Sequence, residues 1–201
     1  MRLRYGKVNK IFYIMGKSSS GKDTIFKELK KRHPDLKTVV LYTTRPIRSG
    51  EKDGEDYFFV DEEVLKEMEE KDKIIEMRTY YTECGVWKYF TADDGQIDLN
   101  HNSYLVIGTL ESFKDMCEYF GKECLVPIYI EVNDGLRLER ALKREQSQDE
   151  PKYAEMCRRF LADEKDFSEE KLKEAGIGRR FLNTDFETCM DEIEKYLEAV
   201  C

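Results

Sequence analysis

The sequence predicts an α/β fold: three layers, with a parallel central sheet between crossover helices, plus a small mixed β insertion and a helical lid. Two observations lead there. Short apolar runs recur between amphipathic helical stretches, the alternation that a mostly parallel sheet writes into a chain. One glycine-bearing segment follows the first such run directly and opens the first amphipathic helix, an order of strand, loop and helix typical of α/β units.

The runs are Ile11 to Met15, Val39 to Tyr42, Tyr104 to Ile107, Leu125 to Val132 and Arg180 to Leu182, read as buried strands. After the third, Phe113, Met116, Cys117 and Phe120 fall at helical spacing and Gly121 stands where a helix C-cap favours glycine. Near the end, Thr184 and Glu187 form a capping-box pattern, and Cys189, Met190, Ile193, Leu197 and Val200 make one apolar stripe, read as core packing. Residues of about 45 to 95 break this rhythm with a glycine-bearing loop and short Tyr/Phe-rich segments that suggest a small antiparallel sheet. Glu145 to Lys152, EQSQDEPK, is a polar break between arginine-rich helical stretches and reads as a mobile flap.

Length and composition bound the function. At 201 residues the chain fits one domain. Hydrophobic residues at 40% and charged residues at 38% support a core under a highly charged surface. A net charge of -8 argues against a dedicated nucleic-acid binder, because neutralising backbone phosphates needs a basic face. A small phosphorylated ligand needs only a local Arg/Lys cluster. The N-terminal residues lack the apolar run of a signal sequence, and no stretch approaches the roughly 20 apolar residues of a membrane span, so a cytoplasmic protein without membrane attachment is expected. The cysteines Cys84, Cys117, Cys124, Cys157, Cys189 and Cys201 are scattered and read mostly as small buried hydrophobes. His33 and His101 stand alone, which leaves little for triad chemistry.

The segment Gly16-Lys17-Ser18-Ser19-Ser20-Gly21-Lys22-Asp23-Thr24 carries the clearest chemistry. Its two glycines let consecutive N–H groups turn inward, the following helix N-terminus adds positive potential, and Lys22 reaches the β and γ phosphates of a nucleotide. Asp23 stands where the G-x-x-x-x-G-K-[ST] pattern has the hydroxyl that ligates Mg²⁺, with Thr24 next; both are candidate metal ligands. Further on, LYTTRPIRSGEKDGEDYFFV places Arg45 and Arg48 three residues apart, with Tyr57 beyond. Guanidinium forks match phosphate oxygens bidentately, so this group suits a phosphate monoester.

The phosphate loop, the run Thr43-Thr44-Arg45-Pro46-Ile47-Arg48-Ser49-Gly50-Glu51 through Tyr57, and a closing lid occur here in the order of the guanylate kinase family, which the chain resembles from Ile11 to Val200. The resemblance implies a P-loop NTPase fold over 1–201, with a core of 8–44, 100–137 and 168–201, an acceptor-binding insertion of about 45–99 and a lid of about 138–167. It implies MgATP on residues 16–24, with Asn183 near adenine, and GMP phosphate on Arg45, Arg48, Tyr57 and Tyr89. Glu76 is then the guanine contact, its two oxygens accepting from N1–H and N2–H₂, and Thr91 is a further residue of the acceptor site. Lys22 and Arg45, together with lid residues Arg140 and Arg144 of an R-x-x-x-R pattern and Arg159 of the next helix, become the catalytic set.

Departures from the family all concern the base. Leu41 replaces a guanine-contacting serine, and Val106-Ile107-Gly108 replaces an aspartate-x-aspartate strand end. The expected activity is ATP-dependent phosphorylation of GMP or dGMP by a monomer or homodimer. Two other readings stay open: another phosphorylated acceptor, such as a different nucleoside monophosphate or a ribose bisphosphate, and a non-catalytic interaction domain, against which Gly16, Gly21 and Lys22 count.

Overall fold

A computed structural model describes residues 9–48, 50–82 and 85–200. The central sheet contains β1 (Ile11–Met15), β2 (Lys37–Thr38), β7 (Tyr104–Ile107), β8 (Leu125–Glu131) and β9 (Arg180–Leu182), in the order β2-β7-β1-β8-β9 and parallel throughout. β1 is buried along its whole length, as a strand covered on both faces must be.

Alternation sorts its side chains. Ile11, Tyr13 and Met15 join one core cluster with Phe113, Met116 and Cys117 of α3 (Leu110–Phe120) and Leu172 of α6 (Glu169–Glu174). Phe12 and Ile14 join another with Ile25 and Leu29 of α1 (Lys22–Arg32) and Cys189, Met190, Ile193 and Leu197 of α7 (Phe186–Val200). Period-2 strands between period-3.6 helices thus give the three layers. The α7 stripe is core, each fully buried Ile or Leu contributing about 1.5–3 kcal/mol.

A second sheet holds β3 (Tyr42–Thr43), β4 (Phe58–Phe59), β5 (Ile74–Thr82) and β6 (Gly85–Ala92) in the order β4-β3-β6-β5. It is mixed: β3 pairs β4 in parallel, and β6 lies antiparallel to both β3 and β5. Its apolar face, with Tyr42 and Phe90, packs on Leu65 of α2 (Glu62–Glu70). The lid region folds as α4 (Asp134–Gln146) and α5 (Tyr153–Asp166).

Two expectations change. Val39 to Tyr42 is not a single strand of the main sheet; Lys37–Thr38 pairs with β7, while Tyr42–Thr43 crosses to the second sheet. The cap of α7 is Asp185 rather than Thr184, its carboxylate accepting from Thr188 N at 2.9 Å and Thr188 Oγ1 at 2.7 Å. The 145–152 connection is stitched, because buried Glu145 accepts from Lys152 N at 2.5 Å and from Gln148 Nε2 at 3.1 Å. Among the described cysteines, Cys117 and Cys189 are buried, Cys124 is half-buried and Cys157 is exposed; Cys84 and Cys201 lie outside the described residues.

Candidate functional site

The carboxyl ends of β1, β7 and β8 open onto one edge of the sheet, where neighbouring strands lead into different connections, the place where open α/β sheets form crevices. From β1 the chain enters the glycine loop. Gly21 has φ 85, and a Cβ there would stand 2.4 Å from Asn183 Nδ2, so the turn requires glycine. Ser19 also adopts a positive φ of 62, a conformation that a non-glycine residue holds only when its surroundings enforce it. The hydroxyls of Ser19 and Ser20 are buried without a hydrogen-bond partner among the described residues. Such groups ordinarily find a partner, and leaving one unmade costs about 1–3 kcal/mol.

Several side chains fasten this loop. Buried Asn183 donates through Nδ2 to Ser20 O at 2.8 Å, and Arg140 Nη2 donates to Asn183 O at 2.9 Å. Ser18 N donates to Asp163 Oδ2 of α5 at 2.8 Å, so an anionic oxygen already sits on a loop amide. Lys17 Nζ lies 2.7 Å from Glu164 Oε1. Arg137, fully buried, draws these together: it donates to Asp134, to Glu164 at 2.7 Å and to Ser18 O at 3.2 Å, and lies 4.3 Å from the centre of the Phe160 ring. Lys22 Nζ lies 3.6 Å from Asp23 Oδ2. A cavity of about 130 Å³ between the loop, α4 and α5 is lined by Ser18, Ser19, Arg137, Arg144 and Arg159 among others. Arg159 is held by Glu155 at 2.7 Å.

The acceptor-side residues are built on the second sheet. Thr43 Oγ1 donates to Lys88 O at 2.9 Å and Thr44 Oγ1 accepts from Lys88 N at 3.0 Å, which ties the threonine pair to β6 and aims Arg45. Arg45 is buried, with Nη1 and Nη2 on the two oxygens of Glu51 at 2.7 and 2.6 Å and Nε on Tyr89 OH at 3.0 Å. Its guanidinium lies 5.1 Å from the Tyr57 ring centre, within cation–π range. The bidentate bond from Arg45 pulls the Glu51 carboxyl down to about 2. Burial pushes the Tyr57 phenol up. Arg48 stands over the Trp87 ring at 5.8 Å, and its N–H donates to Glu51 at 2.9 Å.

A register shift between Ile74 and Glu76 sets Glu76 opposite Thr91 and Arg78 opposite Tyr89. A bulge re-aims side chains, and here one face of the hairpin presents Glu76, Arg78, Thr91 and Tyr89. Thr91 Oγ1 donates to Glu76 Oε1 at 2.7 Å, while Arg78 donates through Nε to Oε2 at 3.1 Å and through Nη2 to Oε1 at 3.4 Å. Burial raises the Glu76 carboxyl, and the charge of Arg78 and the bond from Thr91 work against that rise. At Gly108 a Cβ would stand 2.0 Å from Tyr13 OH, so the phenol occupies the place of a side chain at 108. That phenol is bonded to Ser112 Oγ at 2.5 Å.

The structure thus brings Arg45, Tyr57 and Tyr89 together, Glu76 with Thr91, and Asn183 and Arg140 with the loop. Asp23 and Thr24 stand exposed on the first turn of α1. Sequence reasoning did not single out Glu51, Arg78, Tyr13, Arg137, Asp163 or Glu164. Glu51 lies inside the run that carried the resemblance; the others had no local pattern, because their partners are distant in the chain.

With this geometry in place, comparison with known proteins is informative. A family model described as guanylate kinase matches residues 8–86. The chain resembles guanylate kinases. That of Gloeobacter violaceus is 40% identical over 73 residues, 36% of each chain, and that of Tropheryma whipplei (strain Twist) is 35% identical over 94 residues, 47% of each. Caldanaerobacter subterraneus subsp. tengcongensis has one 44% identical over 71 residues, 35% of this chain and 34% of its own. The chain thus spans between a third and a half of the length of these curated relatives. The crystal structure of guanylate kinase from Anaplasma phagocytophilum superposes with a TM-score of 0.65 at 20% identity, covering 96% of this chain and 86% of that one. The fold is therefore that of the P-loop NTPases, with a parallel central sheet. No described helix is long and apolar enough to cross a membrane.

Proposed function

We propose that this protein transfers the γ-phosphoryl group of ATP to a nucleoside monophosphate, with GMP or dGMP the acceptor. One observation carries the reading: Arg45, Tyr57 and Tyr89 are assembled from separate segments into one cluster of a guanidinium and two phenols on the insertion, in a chain that also carries the glycine loop. A scaffold would need neither.

Phosphoryl transfer asks for alignment and charge neutralisation more than for covalent help. The loop amides, the buried hydroxyls of Ser19 and Ser20, and Lys22 hold the ATP phosphates in this reading, and Asp163 yields the Ser18 amide to a phosphate oxygen. Arg45, with Tyr57 and Tyr89, positions the acceptor phosphate; four of its five N–H groups are engaged within the described residues, so Glu51 acts as its orienting brace. Arg48 approaches from the same loop. Arg140, Arg144 and Arg159 close over the transferring group and exclude water. Lys17 and Asn183 shape the loop through their own contacts.

Asp23 and Thr24 offer a carboxylate and a hydroxyl, hard oxygen donors that fit Mg²⁺ when phosphate oxygens and water complete its shell. Bound there, Mg²⁺ neutralises charge on the β and γ phosphates. Nucleotides are the partners this site implies.

The test is ADP release from MgATP against GMP, dGMP, AMP, UMP, CMP and a ribose bisphosphate. GMP and dGMP should give the highest rates. A flat response across the whole panel would remove the enzyme reading, and preference for the bisphosphate would move the acceptor class.

A further inference from the structure

Glu76 is paired in a way the family comparison does not supply. A guanine edge presents N1–H and N2–H₂, two near-parallel donors that meet the two oxygens of one carboxylate. An arginine fork presents the same arrangement with a positive charge added, and charge-assisted pairs are the stronger. Arg78 already meets both oxygens of Glu76, through Nε at 3.1 Å and Nη2 at 3.4 Å. Both side chains are withdrawn from solvent, 11% exposed for Arg78 and 1% for Glu76, so neither has water to turn to when the pair opens.

Among the described residues around Glu76, the other polar groups are hydroxyls and one carboxylate, that of Asp115. Thr91 of β6 also donates to Glu76 Oε1. From β1, the Tyr13 phenol fills the space at Gly108 and is bonded to Ser112 of α3. Asp115 of α3 is the remaining carboxylate felt by Glu76, and it too faces the charge of Arg78. Leu41 and Val106 contribute no hydrogen bond through their side chains.

We propose that Arg78 sets the base selectivity of this acceptor site by holding, with its own donor pair, the two-oxygen face of Glu76 that a guanine edge needs. The proposal rests on the nucleoside monophosphate kinase reading and on Glu76 as base contact. Guanine gains its bonds only by displacing a stronger set, so its 2-amino group contributes little to selection. Hypoxanthine, which keeps N1–H and lacks that amino group, is taken nearly as well. The site accepts 6-oxopurine monophosphates as a class.

Two measurements test it. In the native protein, kcat/KM for GMP and for inosine monophosphate should agree within about tenfold, the range of a contact that selection scarcely uses. In Arg78→Lys the positive charge beside Glu76 remains, but an ammonium is a point charge and cannot present two parallel donors. The GMP preference should then widen by at least about tenfold. Magnesium-dependent ATP binding by calorimetry shows that the variant is folded. A native preference for GMP above about a hundredfold, or an unchanged ratio in an ATP-binding variant, overturns the inference and leaves the kinase reading standing. Refusal of every nucleoside monophosphate overturns both.

Discussion

In the proposed reading the glycine loop and the acceptor cluster each hold a phosphate, and they are built for it by different means. The loop works through backbone: a left-handed Gly21, a strained Ser19 and the amide of Ser18, which already carries a carboxylate oxygen. The acceptor cluster works through side chains, with Arg45 locked between Glu51 and Tyr89. A backbone site is built from consecutive residues and held in shape by what surrounds it. A side-chain site is drawn from distant strands and held by pairing its own charges. Mutations should therefore act on the first mainly through its supports, and on the second mainly through its members.

The largest effect should come from the support. Arg137→Met removes a fully buried guanidinium, which leaves Asp163 without its cation and Glu164 with Lys17 alone. Breaking such a pair costs about 3 kcal/mol, which for a domain of this size lowers the melting midpoint by roughly 10 °C. An unchanged midpoint would show that the loop and the two helices stand without this guanidinium. A step below is Lys22→Met, which should leave the fold intact by circular dichroism and lower turnover by about 10²-fold, the scale of one lost electrostatic stabiliser. Turnover near the native value would take Lys22 out of the mechanism, and with it the contrast between support and member at the loop.

Legibility in the sequence follows the same division. The loop could be read residue by residue because its motif and its local conformation are one pattern, and the strands β1, β7 and β8 could be read because each is a largely apolar run. Val39 to Tyr42 misled because it bridges two elements: Lys37–Thr38, just before it, pairs with β7, and Tyr42–Thr43, at its end, pairs with β6, and an apolar run does not record which sheet it joins. The cap at Asp185 was missed for a smaller reason, since Thr184 and Asp185 are both good caps and packing chose between them. Glu76 and Tyr89 came from family resemblance alone. Arg78 had no signal, because its meaning lies in a bulge at Ile75 that turns Glu76 toward it, and in Tyr13 and Ser112 some sixty-five and thirty-five positions away.

The Arg45–Glu51 pair offers the finest test of the idea that the acceptor site is held by its own charges. Arg45 holds the Glu51 carboxyl at about 2, against an ordinary value of 4.5. A carboxyl whose value is lower in the folded protein adds stability that is fully present above the ordinary value, and loses it as pH falls toward the folded one. Native protein and Glu51→Gln should thus differ in melting midpoint by a small, constant margin from pH 7 down to about 5, and the margin should shrink as pH falls from 4.5 toward 2. The variant should also need more acceptor for half-maximal rate at pH 7, with ATP affinity unchanged, because its neutral amide keeps at most one of the two bonds that aim Arg45. A margin that stays constant to pH 3 would mean that the carboxylate charge contributes nothing to the brace, and that Tyr89 and the Tyr57 ring suffice to place the guanidinium.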